Sequence, residues 1–138
     1  MILGIGTDIV RVLRFNSWKN YSQKQLLHVF SKEEIKDFFT KKENLNLQTI
    51  ASRFASKEAF YKAFSACLFK LNLNKVQFSF LFACKNIEIQ KTIWNTPEIK
   101  INYQAFEIKI GAKIPKLNIN LSLSHEKDIA LAFVILST

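Results

Sequence analysis

The sequence predicts a single α+β domain in which one long central helix packs on an antiparallel sheet. A long helix is predicted over residues 46–68, whereas both ends of the chain show the alternation of apolar residues that is typical of strands. The chain has 138 residues, 49% of them hydrophobic and 13 of them phenylalanine, which is enough for one core. No linker or internal repeat divides it, so we expect one domain over residues 1–138.

Local signals place the elements along the chain. The predicted elements are a strand over 2–10, helices over 22–29, 32–40 and 46–68, strands over 78–90 and 98–102, a helix over 103–112 and a β-hairpin over 118–136. Ser31, with Glu34 three residues later, is a capping-box signature for the second helix. Phe78, Phe80 and Phe82 alternate, which predicts aromatic packing along a strand rather than stacking on nucleic-acid bases.

The central helix carries a carboxylate and an ammonium group one turn apart. In the segment RFASKEAFYKAF, Glu58 and Lys62 fall on one face with Ala51 and Ala55, whose small side chains leave room for a ligand. This layout suits a metal and phosphate site. The alternative is an ordinary i,i+4 ion pair, which adds only about 0.2–0.5 kcal/mol to an exposed helix.

A second carboxylate lies in the first strand. In GIGTDIV, the period of two puts Asp8 on the same face as Gly4 and Gly6. Aspartate is depleted from strands, and glycine in a strand often marks close approach by another backbone or a ligand. The pattern therefore indicates a site, the alternative being a turn aspartate that follows a short strand.

Two further polar residues stand near the end of the chain. Ser124 and His125 lie at the bend of the predicted hairpin, where a rigid sheet can present polar groups to a substrate. The alternative is a solvated loop without a binding role.

With GIGTDIV, RFASKEAFYKAF and LSLSHE in this order, essentially the whole chain resembles the bacterial holo-acyl-carrier-protein synthases, the small 4′-phosphopantetheinyl transferases. The resemblance implies a phosphopantetheinyl transferase-like fold and transfer of 4′-phosphopantetheine from coenzyme A to a serine of acyl carrier protein. It also implies Mg²⁺, release of adenosine 3′,5′-bisphosphate, a place in fatty acid biosynthesis, and a homotrimer with active sites between subunits.

Carried over by position, the resemblance makes Asp8 and Glu58 the Mg²⁺ ligands, which agrees with the preference of Mg²⁺ for a few carboxylates plus water and phosphate oxygens. The resemblance also implies that Lys62 holds phosphate as a flexible point charge. It further implies that Ser124 and His125 contact the nucleotide end of coenzyme A. The catalytic group is then Glu58, Lys62 and His125, but the general base stays open between His125, a carboxylate and a metal-bound water.

Two arginines are also predicted to bind substrates. Arg53 matches a family arginine, yet helical projection turns it about 140° from Glu58, so we expect it to serve the site of a neighbouring subunit. The alternative is an ordinary surface cation. Arg14 follows the first strand and, by resemblance, contacts the carrier protein; Arg11 is a weaker candidate on charge alone, and both have the alternative of ordinary solvated cations.

Some positions depart from the family pattern. Ser65-Ala66-Cys67 replaces a Gly-Thr-Gly turn after the central helix, and Asn95-Thr96-Pro97 replaces Gly-Lys-Pro and loses its cation. Asn44 and Leu45 stand where basic residues are frequent in the family before the central helix, and Lys41 and Lys42 are the candidates to substitute for them. The effect of these departures on coenzyme A binding does not follow from the sequence.

The formal net charge of +9 favours an acidic partner, because excess positive charge attracts polyanions and speeds encounter with them. A small basic nucleic-acid-binding module is the main rival, and a structural protein with a decayed site is another. Scattered lysines, together with the Asp8 and Glu58 carboxylates, argue against nucleic acid. Cys67 and Cys84 lack zinc-site spacing and are expected to be buried thiols. With no leader or long apolar run, we expect a cytoplasmic protein without a membrane partner.

Overall fold

The computed structural model describes residues 1–39 and 44–138, so the predicted role of Lys41 and Lys42 lies outside the described residues. The two ends of the chain form one antiparallel sheet. Strand β1 (Ile2–Arg11) pairs with β5 (Ile129–Ser137), and β5 pairs on its other edge with β4 (Asn118–Glu126). The hairpin predicted over 118–136 and the strand predicted over 2–10 are therefore confirmed.

Helix α3 (Leu47–Lys70) lies across one face of this sheet, the inner face. Asn46 begins the helix, because its side chain accepts a hydrogen bond of 3.1 Å from the Thr49 amide. The helix backbone comes so close to β1 that only glycine fits there: a Cβ on Gly4 would lie 2.0 Å from the carbonyl oxygen of Ala63. The neighbour to which the two glycines give room is thus the helix backbone. Asp8 is the next residue on the inner face after Gly6.

The remaining elements are short and complete the core around α3. They are a 3₁₀ helix (Val12–Asn20), α1 (Gln23–Leu26), α2 (Lys32–Lys36), α4 (Phe80–Asn86), the β2–β3 hairpin (Ile87–Lys91 and Pro97–Ile101) and α5 (Tyr103–Ile110). Strands β2 and β3 form a second, two-stranded antiparallel sheet. Within the two described stretches, no helix combines the length and the apolar composition that crossing a membrane requires.

Aromatic side chains fill the space beneath α3. Phe60 and Phe64 stack on one side, and Phe106 of α5 lies between Phe64, Phe78 and Phe82 in edge-to-face contacts. Such pairs stabilise a core by about 0.5–1.5 kcal/mol each beyond the burial of their area. The prediction of aromatic packing at these positions is confirmed.

The strand predicted over 78–90 is wrong in its first half. Ser79 caps a helix instead, because its Oγ accepts a hydrogen bond of 3.1 Å from the Phe82 amide, and the strand begins only at Ile87. A helical turn puts Ala83 and Cys84 into the core, which alternation of the phenylalanines did not indicate.

The other deviations from the prediction concern the lengths of helices, one additional helix and the number of sheets. Helices α1 and α2 are shorter than predicted, the 3₁₀ helix was not predicted, and the strands form two sheets rather than one. The predicted capping box is formed, with the Ser31 Oγ accepting from the Glu34 amide at 3.1 Å, and Ser22 forms a second, unpredicted one with Gln25. The predicted class, an α+β fold with a long central helix on an antiparallel sheet, is confirmed.

Candidate active site

The Asp8 carboxylate lies on the inner face of the sheet beside α3. Asp8 pairs in register with Ala132 of β5, and its side chain is only 8% exposed. The small neighbour and the glycines before it leave the carboxylate next to the helix face that carries Glu58 and Lys62. One oxygen, Oδ1, has a partner, whereas Oδ2 is buried without a hydrogen-bond partner in the described residues.

Lys62 joins the two predicted metal ligands. Its Nζ lies 2.9 Å from Asp8 Oδ1 and 3.8 Å from Glu58 Oε1, and it donates a third contact of 3.0 Å to the backbone carbonyl oxygen of Thr7. The hydrogen bond to Asp8 raises the pKa of Lys62 above its usual value, with smaller contributions from the two negative charges. The lysine therefore stays charged at neutral pH. The Lys62 side chain is 47% exposed, so the cluster opens to solvent.

The donor set fits a magnesium ion. Mg²⁺ is usually held by one or two protein carboxylates, with water and substrate phosphates completing its shell. Asp8 offers a buried oxygen that lacks a partner, and Glu58 is close enough to share Lys62 with it. In the described parts of the chain, no cluster of three or more histidine, cysteine or acidic side chains forms an alternative metal site.

Ser124 and His125 lie apart from this cluster in the same chain. His125 pairs with Ala130 on the inner face of the sheet, while Ser124 pairs with Leu131 and faces the opposite, outer side. Two strand spacings and two residues along the strand separate His125 from Asp8, which corresponds to about 12 Å between their Cα atoms. Both side chains are exposed, so they are available to a ligand or a second chain.

The Arg53 side chain is buried within its own chain. It is 3% exposed, its Nη2 lies 3.8 Å from Asp37 Oδ2, and its Nε and Nη2 have no hydrogen-bond partner in the described residues. Burial lowers the pKa of Arg53, and the Asp37 and Glu34 carboxylates oppose this effect. Arg53 and Glu58 do face different neighbours, as helical projection predicts. The substrate-binding role of Arg53 stays a prediction. Its burial argues against the alternative that it is an ordinary surface cation.

Arg14 is held above an aromatic surface. It follows β1 in the 3₁₀ helix, and its guanidinium carbon lies 5.0 Å from the ring centre of Phe54 and 5.7 Å from that of Phe15. Such contacts restrain the side chain while its charge remains exposed to a partner. The predicted contact with a carrier protein stays a prediction.

Sequence reasoning missed a buried ion pair between Lys57 and Glu34. Lys57 shares the apolar stripe of Phe54, Phe60 and Phe64 at spacings of three and seven residues. That spacing was the available signal for its burial. The capping-box signature located Glu34 correctly, but gave no indication that its carboxylate reaches a second helix.

Comparison with known proteins identifies the family. Residues 4–134 match the family model of the 4′-phosphopantetheinyl transferase superfamily. The chain is 39% identical over 141 residues to the holo-[acyl-carrier-protein] synthase of Ehrlichia chaffeensis, covering 100% of this chain and 98% of that one. It is 36% identical over 136 residues to the enzyme of Treponema pallidum strain Nichols, covering 99% and 96%.

Solved structures agree with the fold and with the family. A holo-[acyl-carrier-protein] synthase from Neisseria meningitidis superposes with a TM-score of 0.70 at 28% identity, with full coverage of both chains at 100%. The Chronobacterium ammoniagenes synthase in complex with coenzyme A gives a TM-score of 0.76 at 25% identity, covering 97% of this chain and 96% of that one. The resemblance drawn from the three sequence motifs is thus confirmed, and the chain is an enzyme that belongs to the holo-[acyl-carrier-protein] synthase family of 4′-phosphopantetheinyl transferases.

Proposed function

We propose that this chain transfers the 4′-phosphopantetheine group from coenzyme A to a serine hydroxyl of apo-acyl carrier protein, with Mg²⁺ and release of adenosine 3′,5′-bisphosphate. The observation that carries the proposal is the meeting of Asp8, Glu58 and Lys62 at one solvent-accessible point between β1 and α3. Two carboxylates and an ammonium group suit a pyrophosphate that arrives with a divalent cation. Relatives of this fold have been solved with coenzyme A bound.

Asp8 and Glu58 would hold the magnesium ion. When bound there, the ion supplies Lewis-acid stabilisation of the charge that develops on the leaving phosphate. Asp8 contributes a carboxylate fixed by β-sheet pairing and burial, whereas Glu58, 32% exposed on α3, contributes one that can adjust to the ligand. The chain thus provides one rigid and one mobile oxygen donor.

Lys62 would bind the pyrophosphate as a point charge. Its four-carbon stem is half-exposed, and the ammonium group keeps its proton because the Asp8 contact raises its pKa. A phosphate oxygen can replace one of its present partners without loss of charge pairing. This supports an orienting role for Lys62 in which it holds the reacting phosphate against the serine nucleophile.

An open cavity beside the second half of α3 offers room for the rest of coenzyme A. It has a volume of about 340 Å³ and is lined by Tyr61, Ser65, Phe69, Val76 and Phe78. Ser65 is one turn beyond Lys62 on α3, and the helix runs unbroken through the Ser65-Ala66-Cys67 segment to Lys70. In this chain the Ser65-Ala66-Cys67 segment is therefore part of a helix, with Ser65 lining the cavity, whereas the family pattern implies a glycine turn at this position.

The carrier protein would dock beside Arg14. Acyl carrier proteins are acidic, and the net charge of +9 on this chain favours their approach. The aromatic contacts of Arg14 restrain its side chain before binding, which lowers the entropy lost on docking. The exposed Arg11 lies three residues earlier at the end of β1 and can add to the same positive surface.

We further propose a homotrimer, with the outer face of the sheet as the contact between subunits. This face carries exposed apolar side chains on β1 and β5, which are Ile5, Ile9, Ile129 and Phe133, at 51%, 62%, 38% and 37% exposure. In the register, Ile5 lies opposite Ile135 and Ile9 opposite Leu131, whereas Phe133 lies opposite Thr7, so the apolar side chains share one face of two adjacent strands. A contiguous apolar surface of this kind is characteristic of a protein interface, and other copies of the chain are the occupants that we propose for it.

Shared active sites would follow from this assembly. Ser124 faces the outer side of the sheet in the same row as Leu131 and Ile9, so a neighbouring subunit packed there would meet it. A contribution of His125 at about 12 Å from Asp8 likewise requires a ligand or a neighbour that bridges the gap. Arg53 can serve a neighbour only if its side chain leaves the contact with Asp37.

The function is tested by incubating the protein with apo-acyl carrier protein, coenzyme A and Mg²⁺, and weighing the carrier by mass spectrometry. We expect the carrier to gain one phosphopantetheine group and adenosine 3′,5′-bisphosphate to appear in equal amount. No gain in mass by a natively folded carrier, with a known synthase as positive control, would contradict the proposal. The cytoplasmic location and the role in fatty acid biosynthesis stay predictions.

A further inference from the structure

The Lys62 ammonium group contacts both of the carboxylates that are proposed to bind the metal ion. Its Nζ is 2.9 Å from Asp8 Oδ1 and 3.8 Å from Glu58 Oε1, so a single cation already stands between the two carboxylates. An ammonium nitrogen at these distances and a Mg²⁺ ion bound to the same two carboxylates would repel each other strongly. The lysine and the metal are therefore competitors for this pair of carboxylates.

The anchoring of Lys62 makes this competition specific. The ammonium group has three protons, and the carbonyl oxygen of Thr7 accepts one of them at 3.0 Å, which holds Nζ beside Asp8. The side chain is still 47% exposed and its stem is flexible, so it can move outward when another anion attracts it. The site thus has an internal cation that is held firmly enough to compete and loosely enough to leave.

We propose that Lys62 is the counter-cation of the ligand-free site, which a divalent ion displaces only when a phosphate group draws the ammonium group outward. This inference rests on the proposed metal site at Asp8 and Glu58. The chain alone then binds the metal weakly, and the metal and coenzyme A strengthen each other's binding. By linkage, the factor by which one tightens the other is the same in both directions.

The test measures Mn²⁺ binding to the protein without any nucleotide, by the loss of the free-ion signal in electron paramagnetic resonance. Lys62→Met keeps an unbranched side chain that is one atom shorter and removes its charge. We expect this variant to bind Mn²⁺ at least about tenfold more tightly than the natural chain, because the competing charge is gone. Lys62→Gln provides a second neutral variant if the first does not fold.

A matched control separates local competition from a change in net charge. Lys113→Met removes one positive charge that also pairs with a carboxylate at 2.9 Å, that of Glu107, but outside the cluster of Asp8, Glu58 and Lys62. We expect its Mn²⁺ affinity to stay within about twofold of the natural chain, since exposed charges at a distance are screened. Equal tightening in both lysine variants would overturn the proposal.

Coenzyme A provides the second half of the test. At saturating coenzyme A, the natural chain should gain more Mn²⁺ affinity than Lys62→Met gains, because only the natural chain has a lysine to release. Equal gains in the two proteins would contradict the displacement of Lys62 by phosphate.

The outcomes distinguish this inference from the proposed metal site itself. If Lys62→Met binds Mn²⁺ no more tightly than the natural chain, while Asp8→Asn abolishes binding in both, the metal site stands and the competition is wrong. If Asp8→Asn leaves Mn²⁺ binding unchanged in the Lys62→Met background, the metal lies elsewhere and both are wrong. Tightening in Lys62→Met that Asp8→Asn removes supports both.

Discussion

Lys57 Nζ lies 2.8 Å from Glu34 Oε1, and neither side chain is exposed to solvent. The lysine also donates to the backbone carbonyl oxygens of Cys84 and Ile87 at 2.8 and 3.1 Å, and Glu34 accepts from the Ser31 and Ile89 amides. One ion pair therefore connects α2, α3 and the junction of α4 with β2. Since Lys57 precedes Glu58, this buried connection fixes the helix that carries the candidate site.

We expect Lys57→Met to lower the free energy of unfolding by about 3–5 kcal/mol, because it leaves the Glu34 carboxylate buried without its counter-charge. Adding Glu34→Gln should recover part of the loss, since the remaining group is neutral. Urea unfolding followed by circular dichroism measures both. The control is Lys36→Met, which breaks an exposed pair with Glu33 and should change stability by less than about 1 kcal/mol. A similar small change for Lys57→Met would show that the buried pair contributes little.

Asp8→Ala and Glu58→Ala should each abolish Mg²⁺-dependent transfer while leaving a folded protein, because each removes one of only two carboxylates at the site. The measurement is the rate of carrier modification across a range of Mg²⁺ concentrations. Glu33→Ala, which removes an exposed carboxylate on α2, is the control and should keep full activity. Natural activity in either site variant would remove that residue from the metal site.

Gly6→Ala should destabilise the protein by at least about 3 kcal/mol or prevent folding, because the added Cβ would lie 2.0 Å from the carbonyl oxygen of Ala59. Gly111→Ala is the informative comparison. Gly111 ends α5 at a φ of 74° with open space around it, so alanine there meets only backbone strain of about 1–2 kcal/mol. Thermal unfolding measures the stability of both variants. A smaller loss of stability for Gly6→Ala than for Gly111→Ala would contradict the close approach of α3 to β1.

The elements with strong local signals were predicted well from the sequence. The capping box at Ser31, the alternation of β1 and β5 and the length of α3 come from short-range patterns, and the structure reproduces them. The segment after Phe78 was not predicted correctly. Three alternating phenylalanines suit a strand as well as a helix that is buried on several sides. The Ser79 cap and the contacts of Phe78 and Phe82 with Phe106 decide between the two.

The candidate site shows the same division. The meeting of Asp8, Glu58 and Lys62 was predictable, since it needs only the period of a strand, the period of a helix and the packing of one on the other. The burial of Arg53 and Lys57 was not recognised, because it depends on carboxylates of α2 and its end that lie about 16–23 residues away along the chain. Helical projection gives the direction in which a side chain points, but the residue that it contacts is determined by the tertiary fold.

Both thiols should be unreactive in the native protein. Burial raises the pKa of Cys84 from an ordinary 9.0 to about 12 and also raises the pKa of Cys67, so neither forms a thiolate at neutral pH. We expect a thiol reagent such as Ellman's reagent to label two groups per chain only after unfolding. Rapid labelling of the folded protein at pH 8 would contradict their burial.

The same thiol shift predicts how stability changes with pH. A thiol whose pKa is raised by folding contributes stability that is complete below pH 9 and decreases as the pH rises toward 12. The slope from Cys84 is at most about 1.4 kcal/mol per pH unit. Cys84→Ala should flatten the fall in unfolding free energy between pH 9 and 11, measured against the natural chain. An unchanged slope would show that Cys84 does not titrate differently in the two states.

The proposed assembly predicts three copies of the 16.0 kDa chain in sedimentation equilibrium. Phe133→Lys, on the outer face of the sheet at 37% exposure, should dissociate the trimer, because it places a charge in the proposed apolar contact. Ile108→Lys is the matched control: this side chain is 74% exposed on α5, away from the sheet, and the variant should remain a trimer. A natural chain that sediments as a monomer would contradict the assembly.

Subunit mixing tests whether the active sites are shared. Arg53→Met removes the guanidinium charge with little loss of volume, and Glu58→Ala removes one proposed metal ligand, so each chain alone should be inactive. If Arg53 leaves Asp37 to complete a neighbour's site, then mixed trimers should recover part of the activity, since some interfaces combine an intact Arg53 with an intact Glu58. Arg53 is 3% exposed and faces Asp37 within its own chain, so a failure to recover activity is also informative. Verified subunit exchange without recovered activity would assign Arg53 to the support of α3 in its own subunit, and leave Ser124 and His125 as the residues through which a neighbour reaches the site.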